Sequence, residues 1–119
     1  MRYLLMMCKD EAIWDALSVA ERGAIFRRAV DFSEELRQRG LYLSGDPLEA
    51  STTATTVRLK GGKPVMTDGP FAETKEQLGG YSLVEAKDLD EVLAVVVRHP
   101  LLHAGFSIEV RPIREGPPR

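Results

Sequence analysis

The residues best suited to chemistry lie between positions 67 and 80, in the stretch TDGPFAETKEQLGG. Asp68 stands directly before a Gly69-Pro70 turn, and an aromatic residue and further charged side chains follow it. A carboxylate on such a turn could transfer protons if an imidazole lay within hydrogen-bond distance. We therefore name Asp68 as a candidate catalytic residue. The candidate ligand-binding residues are Phe71, Glu73, Lys75 and Tyr81.

Ordinary structural roles would also explain these residues. An aspartate before Gly-Pro can accept hydrogen bonds from the backbone of its own turn. Phe71 could anchor the loop against a sheet, because aromatic side chains bury much apolar area. Glu73 and Lys75 could simply face solvent. The sequence leaves both interpretations open.

The two histidines, His99 and His103, are the candidates for the other half of an acid–base pair. Imidazole is the side chain that ordinarily titrates near neutral pH, so His99 within reach of Asp68 would complete the pair. In the alternative interpretation His99 caps the C-terminal end of a helix, where a cation favours the helix dipole. His103 is predicted to lie in a connecting loop.

The sequence lacks the residue patterns that other kinds of chemistry require. His99 and His103 are separated by a proline and have no third ligand at a suitable spacing, so we expect no metal site. The sequence contains neither a G-x-S-x-G elbow nor a glycine-rich phosphate motif, and we expect no cofactor. Cys8 is the single cysteine and lies in an apolar run, where a thiol usually acts as a small buried hydrophobe.

Hydrophobic periodicity indicates which elements would position these residues. The apolar run at 3–8 predicts a buried strand, and the Ser18/Glu21 capping box predicts a helix that ends before Gly40. A second helix is predicted from Asp88 to His99, before Pro100. Further strands are predicted at 41–44, 55–60, 64–67, 81–85 and 106–111. A tight turn at Gly61-Gly62 would join two of them as a hairpin, and Gly45-Asp46-Pro47 is predicted to be a turn.

This order of elements predicts an α+β fold, the ferredoxin-like β-α-β-β-α-β sandwich with a β-hairpin insertion. Two helices would cover one face of the antiparallel sheet. The other face would most simply be buried by a second copy, so we expect a homodimer that forms through the sheet. Residues 1–113 are expected to form one domain, and 114–119 a flexible, Pro/Gly-rich tail.

Composition narrows the class of partner. The chain has 119 residues, 44% of them hydrophobic, and a net charge of −2 without a long basic cluster. A single domain follows from that length, and nucleic acid is not an expected partner. No run approaches the roughly 18 apolar residues of a membrane span, so no membrane partner is expected. No cleavage site follows the apolar N-terminal residues, and we expect a cytoplasmic location.

The candidate site belongs to a longer pattern. The string TDGPFAETKEQLGGYSLVEAKDLDE, together with YLLMM, GDPL, TATTVRLK and EVRPI, resembles the DGPF group of the YCII-related family over residues 1–113. This resemblance implies a ferredoxin-like domain of the dimeric α/β-barrel type. For the YCII branch an Asp/His acid–base pair has been suggested. DGPF members are often encoded beside extracytoplasmic-function sigma factors, which implies a regulatory partner.

The sequence departs from that family at the suggested catalytic pair. Residues 20–39 contain no histidine to match the helix histidine of the YCII branch, and His99-Pro100 stands where that branch commonly has Asp-Pro. Three functions stay open. The first is a cofactor-free acid–base enzyme with a small-molecule pocket beside the DGPF loop, lined by Tyr81, Phe71 and Tyr3. The second is a non-catalytic ligand-binding or regulatory module linked to a sigma factor, and the third is a purely structural role for the motif.

Overall fold

The computed structural model describes residues 1–117, so residues 118 and 119 of the predicted tail lie outside the described residues. The helices are α1 (Glu11–Ala16), α2 (Val19–Gln38), α3 (Leu89–Val96) and α4 (Pro100–His103). The strands are β1 (Arg2–Asp10), β2 (Tyr42–Pro47), β3 (Thr55–Lys60), β4 (Lys63–Asp68), β5 (Glu76–Glu85) and β6 (Ser107–Pro112).

Four strands form one antiparallel sheet in the order β2-β5-β1-β6. Strands β3 and β4 form a separate two-stranded sheet between β2 and β5 in the chain. Without that hairpin, the order of elements and strands is that of a ferredoxin-like unit. The predicted α+β fold with a hairpin insertion is confirmed.

The core lies on one face of the sheet. Alternation along β1 turns Tyr3, Leu5 and Met7 toward α3, where they pack with Val92 and Val96. On the same face α2 packs through Phe32 and Leu36 against Val95 of α3. Both long helices therefore cover one face, as the sequence predicted, and the side chains at even positions of β1 point to the other.

The ends of α2 follow from the residues that flank it. Ser18 accepts a hydrogen bond from the Glu21 backbone N–H, and the Glu21 carboxylate accepts one from the Ser18 N–H. This is the predicted capping box. Gly40 ends the helix region with a φ of 75°, a conformation that glycine adopts without steric cost. The resulting helix has 20 residues and forms one wall of the site described below.

Strand pairing overrides one predicted turn and one predicted strand boundary. Strand β5 begins at Glu76 and runs through Gly79 and Gly80, because its first residues pair with the end of β1. Strand β2 likewise continues through Gly45-Asp46-Pro47, which pairs with β5 as far as Gly80. The prediction of a turn at 45–47 is therefore wrong, and so is the predicted start of β5 at Tyr81.

The second predicted helix is two helices. Helix α3 ends at Val96. Pro100 then begins a new helix, α4, instead of only ending the predicted one. Proline is favoured at the first position of a helix because its missing N–H needs no partner there. Helix α1 was not predicted; Asp10 caps it by accepting hydrogen bonds from the N–H groups of Ala12 and Ile13.

The hairpin of β3 and β4 is confirmed at the predicted turn. Gly61 and Gly62 have φ values of 56° and 78°, as a tight two-residue hairpin turn requires. None of the helices within residues 1–117 combines the length and apolar character needed to cross a membrane.

Candidate functional site

A cavity of about 390 Å³ lies between α2 and the helix-covered face of the sheet. Glycine and small side chains of β2 and β5 form its floor, and apolar side chains form its walls. The floor includes Gly45, Gly80 and Ser82, and the walls include Phe26, Ala29, Val30, Trp14, Leu101 and Phe106. Its volume falls within the range of natural small-molecule sites.

His99 is the buried imidazole of this cavity. Only 3% of the residue is exposed, and burial lowers the pKa of His99 to about 4. Its Nδ1 accepts a hydrogen bond of 3.1 Å from the Leu101 N–H at the N-terminus of α4. Because Nδ1 is an acceptor, the proton of the neutral ring lies on Nε2. Nε2 has no hydrogen-bond partner within residues 1–117, so its N–H is available to a ligand.

The predicted capping role of His99 is wrong. His99 caps the N-terminus of α4 and not the C-terminal end of α3, because the chain turns at residue 97 and restarts a helix at Pro100. The C-terminal contact is made by His103, whose Nε2 donates to the Val97 carbonyl over 2.8 Å. His103 is exposed and ends α4, where a loop was predicted.

Two hydroxyl groups converge on the floor at Gly45. A methyl group added at Gly45 would lie 2.6 Å from Tyr42 Oη and 2.9 Å from Ser82 Oγ. Burial raises the pKa of Tyr42, so its hydroxyl keeps its proton at neutral pH and can donate. The strand glycine thus leaves room for two donors beside the cavity.

Lys9 supplies a cation to the lining of the cavity. Its Nζ lies 4.5 Å from the ring centroid of Trp14 and 5.7 Å from that of Phe106, an arrangement that favours a cation. Its stem crosses Gly79, where an added methyl group would lie 3.1 Å from Cε. Burial lowers the pKa of Lys9, and Lys9 forms no ion pair with any described residue. A ligand anion could therefore pair with it.

The structure brings only part of the predicted site together. His99 borders the cavity. Tyr81 meets the cavity floor only through its backbone carbonyl beside Gly45, because its side chain points with Met6 to the open face of the sheet, where its hydroxyl donates to Asp46 Oδ2 over 3.0 Å. The residues of the motif loop lie outside it: Asp68, Phe71, Glu73 and Lys75 are all exposed. Tyr3 lies in the core rather than on the cavity wall.

The motif loop has a structural role at the base of the hairpin. The Gly69 N–H donates to the Ala54 carbonyl over 2.7 Å, and the Gly69 carbonyl accepts from Thr56 Oγ1. Arg58 donates to the Phe71 carbonyl over 2.6 Å. Gly69 has a φ of 103°, which a residue with a side chain rarely adopts. The glycine of the motif is therefore required by this turn.

Sequence reasoning missed most of the cavity. Lys9, Trp14, Tyr42 and Ser82 have no motif in common and come from four separate elements or their ends. One signal was available, because glycines within strands often mark close approach of a ligand or another chain segment. Within residues 1–117 no group of three or more His, Cys, Asp or Glu side chains is placed to hold a metal ion.

The ferredoxin-like sheet with a cavity under its helices can now be compared with known proteins. The chain matches the YCII-related domain over residues 1–116 and belongs to that family. An uncharacterised protein of Rhizobium meliloti (strain 1021) is 34% identical over 93 residues, which cover 78% of this chain and 75% of that protein.

A solved structure has the same fold. It is the 5-chloro-2-hydroxyhydroquinone dehydrochlorinase of Burkholderia phenoliruptrix AC1100 in complex with 2,5-dihydroxybenzoquinone. Its TM-score is 0.55 at 20% sequence identity, and the match covers 98% of this chain and 96% of that one. At this identity the likeness supports the fold and not a shared reaction.

Proposed function

We propose that this protein is a small cofactor-free enzyme that binds a ring compound in the cavity and assists loss of a ring C–H proton to water by stabilising the negative charge that develops on the adjacent ring oxygen. The observation that carries the proposal is His99, a buried neutral imidazole that lines the cavity and whose Nε2–H has no hydrogen-bond partner among the described residues. A neutral imidazole fixed in this way donates a hydrogen bond to a ligand oxygen instead of carrying a charge. Such a donor polarises a carbonyl or stabilises an enolate oxygen.

The other polar groups fit the same role. The Lys9 ammonium favours negative charge that develops on the ligand, and the low polarity of the cavity strengthens that attraction. Tyr42 and Ser82 supply hydroxyls that could orient a second oxygen. The apolar walls, with Phe26, Trp14 and Phe106, suit a planar ring.

The structural neighbour provides the first probe. Its bound 2,5-dihydroxybenzoquinone is a planar ring with carbonyl and hydroxyl oxygens, the chemistry that the donors and the cation of this cavity would recognise. We choose it as a representative of that class and not as the natural substrate.

Asp68 stays a candidate under a stricter condition. Its exposed carboxylate is not part of the cavity wall, so it would pair with His99 only if a second copy or a rearranged loop brought it there. The same holds for the ligand-binding roles proposed for Phe71, Glu73 and Lys75.

The test is calorimetric binding of 2,5-dihydroxybenzoquinone to wild type, His99→Gln and Asp68→Asn. His103→Gln is the matched control, because it removes the exposed imidazole instead of the buried one. We expect His99→Gln to weaken binding at least tenfold, the value of one lost hydrogen bond to a charged group. Asp68→Asn and His103→Gln should bind within about twofold of wild type. Equal binding by wild type and His99→Gln would refute the proposal.

The alternative is a ligand-binding or regulatory module without chemistry. It is favoured by one observation: within residues 1–117 no carboxylate is hydrogen-bonded to His99, as an acid–base pair would require. Exchange of ring protons with D₂O distinguishes the two: an enzyme accelerates exchange, and a module binds the ring without affecting it. Co-purification with a sigma factor would support the regulatory form.

We also propose a homodimer that forms through the open face of the sheet, in the cytoplasm. This face has an apolar centre flanked by polar side chains of β2 and β6, the usual anatomy of an interface. The centre consists of Leu4, Met6, Cys8, Leu78, Tyr81 and Leu83. Sedimentation equilibrium should show a dimer at micromolar concentration, and a monomer throughout that range would contradict it.

A further inference from the structure

Residues 55–68, β3 with its partner β4, form an arm that stands apart from the main sheet. Within the described chain these two strands pair only with each other. The radius of gyration is 16.3 Å, against about 13.5 Å for a compact domain of this length. An isolated two-stranded hairpin is only marginally stable in water, so the arm needs a surface to pack on.

The two faces of the arm differ. Cross-strand pairing of Val57 with Met66 and of Leu59 with Pro64 gathers four apolar side chains on one face. Val57, Leu59 and Met66 are 59%, 72% and 74% exposed. The opposite face carries Thr56 and Arg58, which hydrogen-bond to the motif loop. One face is therefore occupied by the chain itself, and the apolar face is uncovered.

Charge favours a second copy as the occupant. The arm holds three cationic residues and one acidic residue, a net charge of +2, so the other 105 residues of the chain carry −4. The cations are Arg58, Lys60 and Lys63. An arm of one sign and a body of the other are complementary when two copies meet, and a two-fold axis would use both contacts at once.

The contact area also favours a second copy as the occupant. The four strands, of six to ten residues each, give the open sheet face a footprint of about 500 Å² per copy, below the roughly 800 Å² per partner in a stable interface. The arm adds a footprint of about 200 Å² by the same strand spacing, and the partner's arm covers a patch of similar size. With both arms in contact each copy reaches the usual area.

We propose that the arm of each copy lies with its apolar face on the body of a second copy, so that two arms clasp the dimer. This inference rests on the sheet-face dimer proposed above and adds a second contact to it. Asp68, which pairs with Thr55 at the base of the arm, then lies beside the contact between the copies.

The test compares Leu59→Ser/Met66→Ser with Ile13→Ser/Val19→Ser. The control pair removes two apolar side chains of similar exposure, 65% and 79%, from the helical region. Sedimentation equilibrium gives the dimer dissociation constant of each variant. A second readout uses Met66→Cys in a Cys8→Ser background, where the rate of thiol labelling is measured above and below that constant.

We expect the arm variant to raise the dissociation constant at least tenfold and the control variant to leave it within threefold. The thiol introduced by Met66→Cys should react at least ten times more slowly in the dimer than in the monomer. An unchanged dimer with a freely reactive thiol would overturn the clasp and leave the sheet-face dimer standing. If the wild-type protein is a monomer, both the clasp and the sheet-face dimer are overturned. The same holds if it is a monomer whose arm binds lipid vesicles or nucleic acid.

Discussion

The buried state of His99 makes stability depend on pH in a way that one variant can isolate. The folded chain holds His99 neutral with a pKa of about 4, whereas the unfolded chain protonates it near the ordinary 6.5. Its contribution is therefore fully present above pH 6.5. This stability is lost as the pH falls toward 4, because the unfolded state binds a proton that the folded state does not bind.

The size of this effect on the free energy of unfolding follows from the difference between the folded and unfolded pKa values of His99. Each unit of difference in pKa is worth about 1.4 kcal/mol, so the full shift corresponds to about 3 kcal/mol. Between pH 7.5 and pH 5 the free energy of unfolding should fall by about 2 kcal/mol from His99 alone. Exposed carboxylates titrate mainly below this interval and change little within it.

The assay is urea unfolding of wild type, His99→Gln and His103→Gln at pH 7.5, 6.5, 5.8 and 5. Protein concentration is held constant because dimerisation would also shift the midpoint. His99→Gln should lower stability at pH 7.5, since the packing against Phe32 and the cap of α4 are altered. Its free energy of unfolding should nevertheless decline by about 2 kcal/mol less than that of wild type toward pH 5.

The exposed His103 provides the comparison. His103→Gln should retain the pH dependence of wild type, because its imidazole is exposed in the fold. If His99→Gln and wild type lose the same free energy between pH 7.5 and pH 5, His99 is not held neutral by the fold. The role of a neutral His99 ring as the donor would then be refuted as well.

Two further predictions concern the cavity floor and its cation. Gly45→Ala should weaken binding of 2,5-dihydroxybenzoquinone at least tenfold and cost about 1–3 kcal/mol, because its methyl group would overlap Tyr42 Oη and the Tyr81 carbonyl. Gly23→Ala is the control within α2, where the nearest atom is 3.5 Å away, and it should leave binding unchanged and stability equal or about 1 kcal/mol higher. Lys9→Met should weaken binding of the anionic form of the same ring several-fold and remove its dependence on salt, whereas the neutral form should bind as before. Calorimetric titrations at two ionic strengths measure both effects, and wild-type affinity in either cavity variant would contradict the assigned site.

The elements with strong local signals were predictable from the sequence. The Ser18/Glu21 capping box and the Gly61-Gly62 turn each satisfy backbone groups within a few residues, so their outcome depends little on the rest of the chain. The apolar run at 3–8 is an equally local signal for β1. These signals were enough to predict the order of elements along the chain and, from it, the ferredoxin-like fold.

The errors lie where long-range pairing decides. Gly45-Asp46-Pro47 has the composition of a turn, but β5 offers a ladder of hydrogen bonds that keeps it extended. The restart of a helix at Pro100 depends on His99, whose side chain accepts the Leu101 N–H and so replaces a conventional cap. A short stretch of sequence reveals neither the pairing with β5 nor the cap by His99.

The site was harder to predict for the same reason. The motif around Asp68 was the most conspicuous pattern in the sequence, and its glycine is explained by the turn at the base of the arm. The cavity instead assembles Lys9, Tyr42, Ser82 and His99 from separate parts of the chain, and only the fold brings them together. Of these, His99 was named from the sequence because imidazole is rare and titrates near neutrality.

The most direct test of the central claim is a ¹⁵N NMR measurement of the His99 ring during titration with 2,5-dihydroxybenzoquinone. At pH 6 the spectrum should show a neutral ring protonated on Nε2 and accepting at Nδ1, and the Nε2 signal should shift on addition of the ligand. A protonated imidazolium at that pH, or an Nε2 signal unchanged at saturating ligand, would contradict the claim that a neutral His99 ring donates to a ligand in this cavity.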